Sequence, residues 1–560
     1  MIRGFTAGQT RTKDWISGRQ AGRNYDDMTT SHWTIESHRV NVVLWGLLVS
    51  AATLLRILLA LHPGLGWDEI FSLAMATGHS LEHPANAAKP ALGDYVEPPD
   101  PTPPSVFRRY LEHDELPAGP SRVIRAVVLS DTSPPLYYLL LNVWSRLLGT
   151  KDAALRLFSA VWGLACFPLL WSIGIDLGGR RTAWAACVFF AFSPLALYYS
   201  AEGRMYSLVW FLALVLAWST LALAGRGPRS YLLLAWVFSA ASGLLTHYFF
   251  AFVLMACLSW LLLHPTKLSR LHLTGLVLVT ALTVLPWYIQ VPEIMKQWRV
   301  TGMWAAEPLT WKEVFLNPCH LAWSYVSVAG VWGGSRRENM LAAALYAVIA
   351  LVIVRQGVRR FLSERPRLLW LWALGAVVGP AVVDLVTHGS RSLTVRYALP
   401  GFPAAILLMA VGAGNLSRNV YVASLIFLPL IWLPATRKVF AEPSRIFEPF
   451  PQVSTLLDTW AEPRDLIIAH SIPSGVLGLA RYMGTDTPIV SWVVQLKQHS
   501  AAQDMPRFAS SYERVAVVKI HDLEEPSPAE DWLLQNETLE SRKKLCSAKA
   551  EVLFFGRELR

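Results

Sequence analysis

Residues 205–225 read MYSLVWFLALVLAWSTLALAG, a run that contains no charged side chain. A run of this length is typical of a helix that crosses a bilayer, because about 20 apolar residues span the hydrocarbon core. Similar apolar runs recur at 41–61, 153–176, 182–200, 231–246, 248–263, 272–289, 341–354, 368–387, 398–414 and 419–434. They predict a polytopic α-helical membrane protein with about 11–13 transmembrane helices.

The composition agrees with this class and argues against several others. Of the 560 residues, 53% are hydrophobic, and the 24 tryptophans suit the aromatic belts at the two faces of a bilayer. The net charge of +10 could indicate nucleic-acid binding, but Arg and Lys cluster in short turns between apolar runs. No nucleic-acid partner is therefore expected. The five cysteines lack the spacing of a zinc site or disulfide framework, and neither a metal nor another cofactor is predicted.

Basic clusters predict the orientation of the chain. They lie at Arg180-Arg181, Arg226 with Arg229, Lys267 with Arg270, and 355–367. Because basic turns favour the cytoplasm, all four and the N-terminus are placed there, provided that the segment 134–149 does not fully cross. That segment opens with two prolines and is short for a span. Whether it crosses or forms a re-entrant or interfacial helix is left open.

The chain is predicted to have three parts, and the candidate functional residues are predicted to lie on the side of the membrane opposite the cytoplasm, called periplasmic below. The parts are a cytoplasmic tail (1–40), a transmembrane domain with a long periplasmic loop at 62–133 (41–435), and a periplasmic α/β domain (436–560). Within the last part, short apolar runs at 466–469 and 515–518 are typical of strands.

An acidic pair, Asp68-Glu69, follows the first apolar run. Charge close to a span is costly to hold and indicates a functional site, although a solvated interfacial loop is the alternative. A carboxylate at such a place can accept a proton from an attacking hydroxyl, so both residues are candidate catalytic groups. Arg56, inside the first run, is predicted to extend outward to the interface as a structural anchor.

A second motif runs from Asp131 to Tyr138 and places an acid and two hydroxyls before a rigid Pro-Pro step. Asp131, Ser133 and Tyr138 are possible site residues, and a helix N-cap is an equally open interpretation of the first two. A third motif, Tyr198 to Tyr206, carries Glu202 and Arg204 between two apolar runs.

A fourth motif contains Arg396 and Tyr397 ahead of another apolar run. The planar fork of Arg matches phosphate oxygens, and Tyr can add a hydrogen bond. His247 is a further possible site residue, although a lone His at a helix end is more often structural. Carboxylates and arginines on one membrane face suit transfer of a group from a membrane-embedded phosphate ester to a hydroxyl. No phosphate-binding loop of the G-x-x-x-x-G-K-[ST] type is present.

The order and spacing of these motifs over roughly residues 40–435 resemble GT-C glycosyltransferases of the protein mannosyltransferase and aminoarabinose transferase superfamily, and are closest to the bacterial family-39-like members. The matching pieces are Trp67-Asp68-Glu69, Asp131 to Tyr138, Tyr198 to Tyr206, Thr246-His247-Tyr248-Phe249 and Arg396-Tyr397. Ser133 stands where the family usually has His, and Ala201 and Gly203 replace Gln and Ala.

The resemblance implies a GT-C fold and a multi-pass enzyme of the bacterial inner membrane. The donor would be a polyprenyl-phosphate-linked sugar and the acceptor a hydroxyl of a lipid, glycan or protein, joined in one inverting displacement. Asp68 would be the catalytic base, and Glu202, Arg204, Arg396 and Tyr397 would line the donor site. A transporter and a lipid-binding subunit without transferase activity stay open as alternatives, although transporters usually carry inverted repeats and none is evident here.

Overall fold

The computed structural model describes residues 23–131, 133–297, 299–300, 308–326, 336–441, 449–520, 526–545 and 550–556. Residues 1–22 of the predicted tail and Thr132 of the second motif lie outside this part. The helices up to residue 441 are α1 (Arg23–Ala60), α2 (Trp67–Thr77), α3 (Pro104–Arg108), α4 (Pro120–Ser130), α5 (Leu136–Leu148), α6 (Asp152–Gly178), α7 (Arg180–Phe192), α8 (Pro194–Ala201), α9 (Tyr206–Arg226), α10 (Ser230–Leu244), α11 (Phe250–Leu263), α12 (Arg270–Tyr288), α13 (Val291–Lys296), α14 (Trp311–Val326), α15 (Arg336–Gln356), α16 (Val358–Phe361), α17 (Glu364–Thr387), α18 (Phe402–Gly414) and α19 (Arg418–Ala441).

Long apolar helices dominate the described residues, which confirms the predicted class of polytopic helical membrane protein. Seven candidate spans are long enough to cross: Asn41–Ala60, Asp152–Gly178, Tyr206–Arg226, Arg270–Lys296, Asn339–Gln356, Glu364–Thr387 and Arg418–Phe440. Helices α7 and α8 form an eighth candidate, bent by 61°. Three further apolar helices are shorter: Ser230–Leu244, Phe250–Leu263 and Leu399–Gly414. The lower limit of the prediction, about 11 crossings, is reached only if the bent pair and all three shorter helices cross. Helix α5, in the segment left open above, is not among these candidates.

The bend between α7 and α8 explains an unexpected position of Arg56. Pro194 has no N–H, so the carbonyl of Phe190, four residues earlier, lacks its helical partner. Arg56 Nη2 donates to that carbonyl at 3.4 Å, and its guanidinium lies over the rings of Phe167 and Phe190 at 5.6 and 5.5 Å. The predicted outward extension of Arg56 is wrong, because the side chain is 0% exposed and turns into the bundle instead.

The last part of the chain is an α/β unit, as its apolar runs predicted. Its strands are β1 (Asp465–His470), β2 (Ile489–Trp492), β3 (Arg514–Ile520), β4 (Thr538–Leu545) and β5 (Ala550–Gly556), and its helices are α20 (Phe450–Trp460), α21 (Pro473–Tyr482), α22 (Ala501–Ser511) and α23 (Pro528–Asn536). The sheet order is β2-β1-β3-β5-β4. Strand β1 runs parallel to both of its neighbours, and β5 is antiparallel to both of its own. Residues from α22 and α23 cover one face of the sheet with an apolar core.

The loop 62–133 packs against this α/β unit. Thr102 pairs with Ile489 through two backbone hydrogen bonds, 3.1 and 2.8 Å long, so that the loop extends the edge of the sheet at β2. Farther along the same strand, the buried Glu97 carboxylate accepts bonds from Ser491 Oγ and Val493 N at 2.8 Å each. Burial raises the pKa of Glu97 to about 7. The loop and the α/β unit are therefore joined along the edge of the sheet.

Candidate active site

Asp68 lies in the first turn of α2, where a negative charge is favoured by the helix dipole. Its Oδ2 accepts a hydrogen bond from Arg396 Nη1 at 2.9 Å. The side chains of Asp68 and Arg396 are 23% and 19% exposed. This ion pair joins the start of α2 to the 3₁₀ turn before α18, and a substrate can still reach both charges.

Glu69, the next residue, is fully engaged. Its side chain is 1% exposed, and Arg156 Nε and Nη2 donate to its two oxygens at 2.9 and 2.7 Å. The backbone N–H groups of Gly66 and Gly203 add a bond of 2.7 Å each. The catalytic role predicted for Glu69 stays a prediction, and its contacts are those of a group that ties α2 to α6 and to the turn between α8 and α9.

Arg156 was missed by the sequence analysis. It is 0% exposed in the first turns of α6 and also donates to the carbonyls of His62, at 2.6 Å, and of Gly64. The signal was present, because a charge inside an apolar run requires a partner. No pattern in the sequence showed that the partner is Glu69, 87 residues earlier.

Gly203 is required by the close approach of these elements. A Cβ at this position would lie 2.5 Å from Leu155 Cγ and 3.1 Å from Glu69 Oε1. The first distance is shorter than any that packed carbon atoms adopt, so a larger residue would push the 202–205 turn away from α6. The family-typical Ala at this position does not fit this arrangement of side chains.

Arg204 brings two predicted site residues, Tyr138 and Asp131, together with Ser72, which was not predicted. Its Nη1 donates to Tyr138 OH at 3.3 Å and to Ser72 Oγ at 3.2 Å. Its Nη2 lies 3.6 Å from Asp131 Oδ2. Its Nε is buried and has no hydrogen-bond partner among the described residues. The guanidinium therefore carries a donor that a ligand oxygen can satisfy.

The Asp131 carboxylate links the second motif to Arg204. It accepts hydrogen bonds from Tyr138 OH at 2.8 Å and from Ser133 N and Oγ at 3.1 and 3.2 Å. Burial raises the pKa of Asp131, but the charge of Arg204 and these bonds lower it by more, and the net direction is downward. Helix α5 is preceded by Pro135 at its N-cap and has no side-chain cap, so the N-cap interpretation of Asp131 and Ser133 is wrong.

Glu202 is a buried acid between the charged groups of the site. Glu202 is 9% exposed, and its Oε2 has no hydrogen-bond partner among the described residues. Burial, together with the negative charges of Asp68 and Glu69, raises the pKa of Glu202 to about 8. At neutral pH the group is therefore mainly a neutral acid that can donate a hydrogen bond.

His247 and Tyr397 form an aromatic wall beside these charges. The ring centroid of His247 lies 6.3 Å from that of Tyr206 and 6.4 Å from that of Tyr397. Phe249 lies against Tyr397 at 5.1 Å. Burial and the charge of Arg204 lower the pKa of His247 to about 3, so its ring is neutral, and its Nδ1 is buried with no hydrogen-bond partner among the described residues.

The loop before Arg396 is held by Asp384, near the end of α17. Its two oxygens accept the backbone N–H groups of Arg391 and Ser392 at 2.9 and 2.7 Å. The Arg391 side chain stays with the same carboxylate, 3.6 Å away. Of the two arginines between residues 390 and 397, Arg396 therefore pairs with Asp68, whereas Arg391 helps to hold the loop. The part of the chain that the structure describes contains no group of three His, Cys, Asp or Glu residues arranged to hold a metal ion.

Comparisons with known proteins agree with this architecture. Residues 132–289 match the sequence model of the dolichyl-phosphate-mannose-protein mannosyltransferase family. The fold is similar to that of ArnT from Cupriavidus metallidurans in the apo state, with a TM-score of 0.53, 12% identity, and coverage of 92% of this chain and 98% of that one. The same protein bound to undecaprenyl phosphate gives a TM-score of 0.52 at 12% identity, with 91% and 98% covered. No curated protein matches the sequence of the chain.

The matched segment holds Glu202, Arg204 and His247, whereas Asp68 and Arg396 lie outside it. At 12% identity the likeness to ArnT concerns the fold, and the family match supplies the class of enzyme. The predicted resemblance is confirmed. The chain is a multi-span membrane glycosyltransferase with a GT-C fold.

Proposed function

We propose that this glycosyltransferase moves a sugar from a polyprenyl-phosphate-linked donor to a hydroxyl acceptor at the periplasmic face of a bacterial inner membrane. The observation that carries the proposal is the accessible ion pair between Asp68 Oδ2 and Arg396 Nη1, 2.9 Å apart. It brings a carboxylate that is suited to accept a proton within hydrogen-bond distance of a cation that is suited to bind phosphate. The same GT-C fold in ArnT holds undecaprenyl phosphate, which supports a carrier of this chemical class here.

The bent pair of helices, taken as one span, supports this orientation. Arg180 and Arg181 begin α7, and the turn with Glu202 and Arg204 follows the far end of α8. Basic residues favour the cytoplasmic end of a span, so the opposite end, with the site, faces the periplasm. The predicted periplasmic location of the α/β unit agrees with this assignment, because α21 and α20 touch the turn that precedes Asp68.

In the proposed reaction the acceptor oxygen attacks the anomeric carbon of the donor. The bond from that carbon to the phosphate oxygen breaks, the proton of the hydroxyl passes to Asp68, and polyprenyl phosphate leaves. A single displacement of this kind inverts the anomeric configuration. Charge accumulates on the phosphate as it leaves, and Arg396 and Arg204 stabilise that charge.

The donor phosphate competes with Asp68 for Arg396. In the structure, Arg396 pairs with Asp68. A phosphate bound at the guanidinium fork weakens that pairing and leaves the carboxylate available to the acceptor hydroxyl. Glu202, neutral at pH 7, is suited to donate a hydrogen bond to the sugar or to a phosphate oxygen. Tyr397 and His247 border the same space with rings that pack against a sugar.

The test is a transfer assay with purified protein. The protein is mixed with polyprenyl-phosphate sugars that carry a radiolabel in the sugar, and with candidate lipid, glycan and protein acceptors. The proposal expects labelled acceptor and one free polyprenyl phosphate per transfer. Consumption of a nucleotide sugar without a polyprenyl carrier, or no release of polyprenyl phosphate with any acceptor, would contradict it. Asp384→Asn, which alters the loop but no proposed reacting group, serves as a variant for comparison with Asp68→Asn.

A further inference from the structure

The turn 62–66 carries the chain from the first span into α2, two residues before Asp68. At its centre, Gly64 has φ +101°, and a Cβ there would lie 3.0 Å from Pro451 Cγ of the α/β unit. The backbone conformation favours glycine strongly at this position, and a Cβ there would also be closer to Pro451 than ordinary packing distances allow. The turn is therefore built against the C-terminal unit.

Three successive N–H groups of this turn are bound by side chains of three different elements. Gly64 N donates to Asp152 Oδ2 at 3.1 Å, from the start of α6. Leu65 N donates to Tyr482 OH at 2.7 Å, from the end of α21. Gly66 N donates to Glu69 Oε2 at 2.7 Å, from α2 itself. Buried N–H groups need such partners, and each bond fixes a different part of the turn.

The Tyr482 hydroxyl is itself held in place. It donates to Asp152 Oδ2 at 2.6 Å, and Arg481 Nε and Nη2 donate to the other oxygen, Oδ1, at 3.0 and 2.8 Å. On the other side, Arg108 from the loop donates to the carbonyls of Ala480, at 2.8 Å, and of Met483. The end of α21 is thus held by hydrogen bonds to both the transmembrane bundle and the loop. The Tyr482 hydroxyl therefore has little freedom to move.

We propose that Tyr482 of the C-terminal unit is a positioning residue for transfer, because its hydroxyl holds the turn that places Asp68 opposite Arg396. This inference rests on the proposed function. Tyr482 touches neither substrate nor reacting atoms. It acts through Leu65 N and Asp152, and a small displacement of the turn shifts the carboxylate of Asp68 from the acceptor hydroxyl.

The first test is kinetic and uses Tyr482→Phe, which keeps the ring and removes only the hydroxyl. We expect kcat to fall about 5- to 100-fold, since misplacement of a catalytic group by a fraction of an ångström has effects of this order. The donor KM should stay nearly constant, because Arg396 and Arg204 keep their own contacts. A fall in expression or melting temperature with unchanged kcat would overturn the inference and leave Tyr482 a purely structural residue.

Tyr512→Phe is the matched control. It removes one phenolic hydroxyl from the same unit, where the Tyr512 ring packs on the core formed with α22 and α23. Asp152→Asn supplies a second variant that weakens the same contact from the opposite side. Combined with Tyr482→Phe, it should reduce kcat by less than the product of the two single effects, because both act on one turn. Fully multiplicative losses would contradict the shared route.

The second test does not depend on activity. Amide hydrogen exchange at Leu65 reports directly whether Tyr482 holds the turn, and we expect exchange about tenfold faster or more in Tyr482→Phe and no change in Tyr512→Phe. Unchanged exchange in both variants would overturn the inference even if the wild-type enzyme transfers sugar. Wild-type protein without transferase activity would contradict the proposed function, and faster exchange would then still show the positioning contact.

Discussion

Two arginine–carboxylate pairs begin at neighbouring residues of α2 and differ in almost every physical respect. Glu69 and Arg156 are 1% and 0% exposed, and each oxygen of the carboxylate has two donors. Asp68 and Arg396 are about one-fifth exposed and share a single bond. The same two functional groups thus form a fixed connection in one place and an accessible one in the other.

The difference shows how one of two adjacent acids can have a structural role while the other stays available for a reaction. Successive residues of a helix point about 100° apart, so one acid can face the bundle while its neighbour stays accessible. A buried pair must be fully hydrogen-bonded to offset its desolvation, and it has no capacity left for a substrate. The partly exposed pair of Asp68 and Arg396 is weaker, and each of its groups can exchange its partner during a reaction.

The largest expected effect separates the two acids. Asp68→Asn keeps size and hydrogen bonding but cannot take a proton, so turnover should fall on the order of 10²–10⁴-fold, the usual share of general base catalysis. Glu69→Gln should reduce turnover less among molecules that remain folded. Turnover of purified, monodisperse variants under saturating donor checks this. A larger loss in Glu69→Gln than in Asp68→Asn would reverse the assignment.

The next effect is on stability. Arg156→Met leaves the Glu69 carboxylate buried without its cation, which should destabilise the protein by about 3–5 kcal/mol. The exposed pair Arg464–Glu513 is the control, since Arg464→Met should cost less than about 1 kcal/mol. Thermal unfolding in detergent compares both with the wild type. Equal melting temperatures for Arg156→Met and the wild type would show that the buried pair is not the connection described here.

A smaller effect concerns the donor. Arg396→Ala should weaken binding of the polyprenyl-phosphate sugar by about 1.5–3 kcal/mol, the range for hydrogen bonds to charged groups. Lys at the same position should restore part of this affinity, because it supplies charge without the fork. Arg391→Ala is the control from the same loop, and titration with donor measures all three. Unchanged affinity in Arg396→Ala would remove this residue from the phosphate site.

The smallest expected effect is a pH dependence of kcat/KM that is caused by Glu202, which lies near the charged groups of both pairs. Glu202 has a raised pKa of about 8, so its neutral form predominates below that pH and is lost above it. If the neutral acid donates a hydrogen bond to the donor, kcat/KM should fall as the pH rises through about 8. Glu202→Gln keeps a donor at every pH and should remove this alkaline limb. A limb of the same shape in both proteins would assign it to another group.

Much of this arrangement could be predicted from residues near each other in the chain. Asp68, Arg204 and Arg396 stood out because charges at the ends of apolar runs are unusual, and the strands of the α/β unit followed from short β-branched runs. The Glu69–Arg156 pair could not be predicted, because the helical period does not show which of two adjacent acids faces inward. Arg56 was misplaced for a related reason, since its partner is a carbonyl exposed by Pro194 in a distant helix.

The most direct test of the separate roles proposed for Asp68 and Arg396 is the affinity of Asp68→Asn for the donor. If Asp68 serves only the acceptor hydroxyl and Arg396 serves the phosphate, the slow variant should bind the polyprenyl-phosphate sugar at least as tightly as the wild type does, because Asn no longer competes for Arg396. Titration of both proteins with the same donor, under identical detergent and salt, gives the comparison. Binding weaker by about tenfold or more, or 1.4 kcal/mol, would mean that Asp68 holds the donor and would contradict the account.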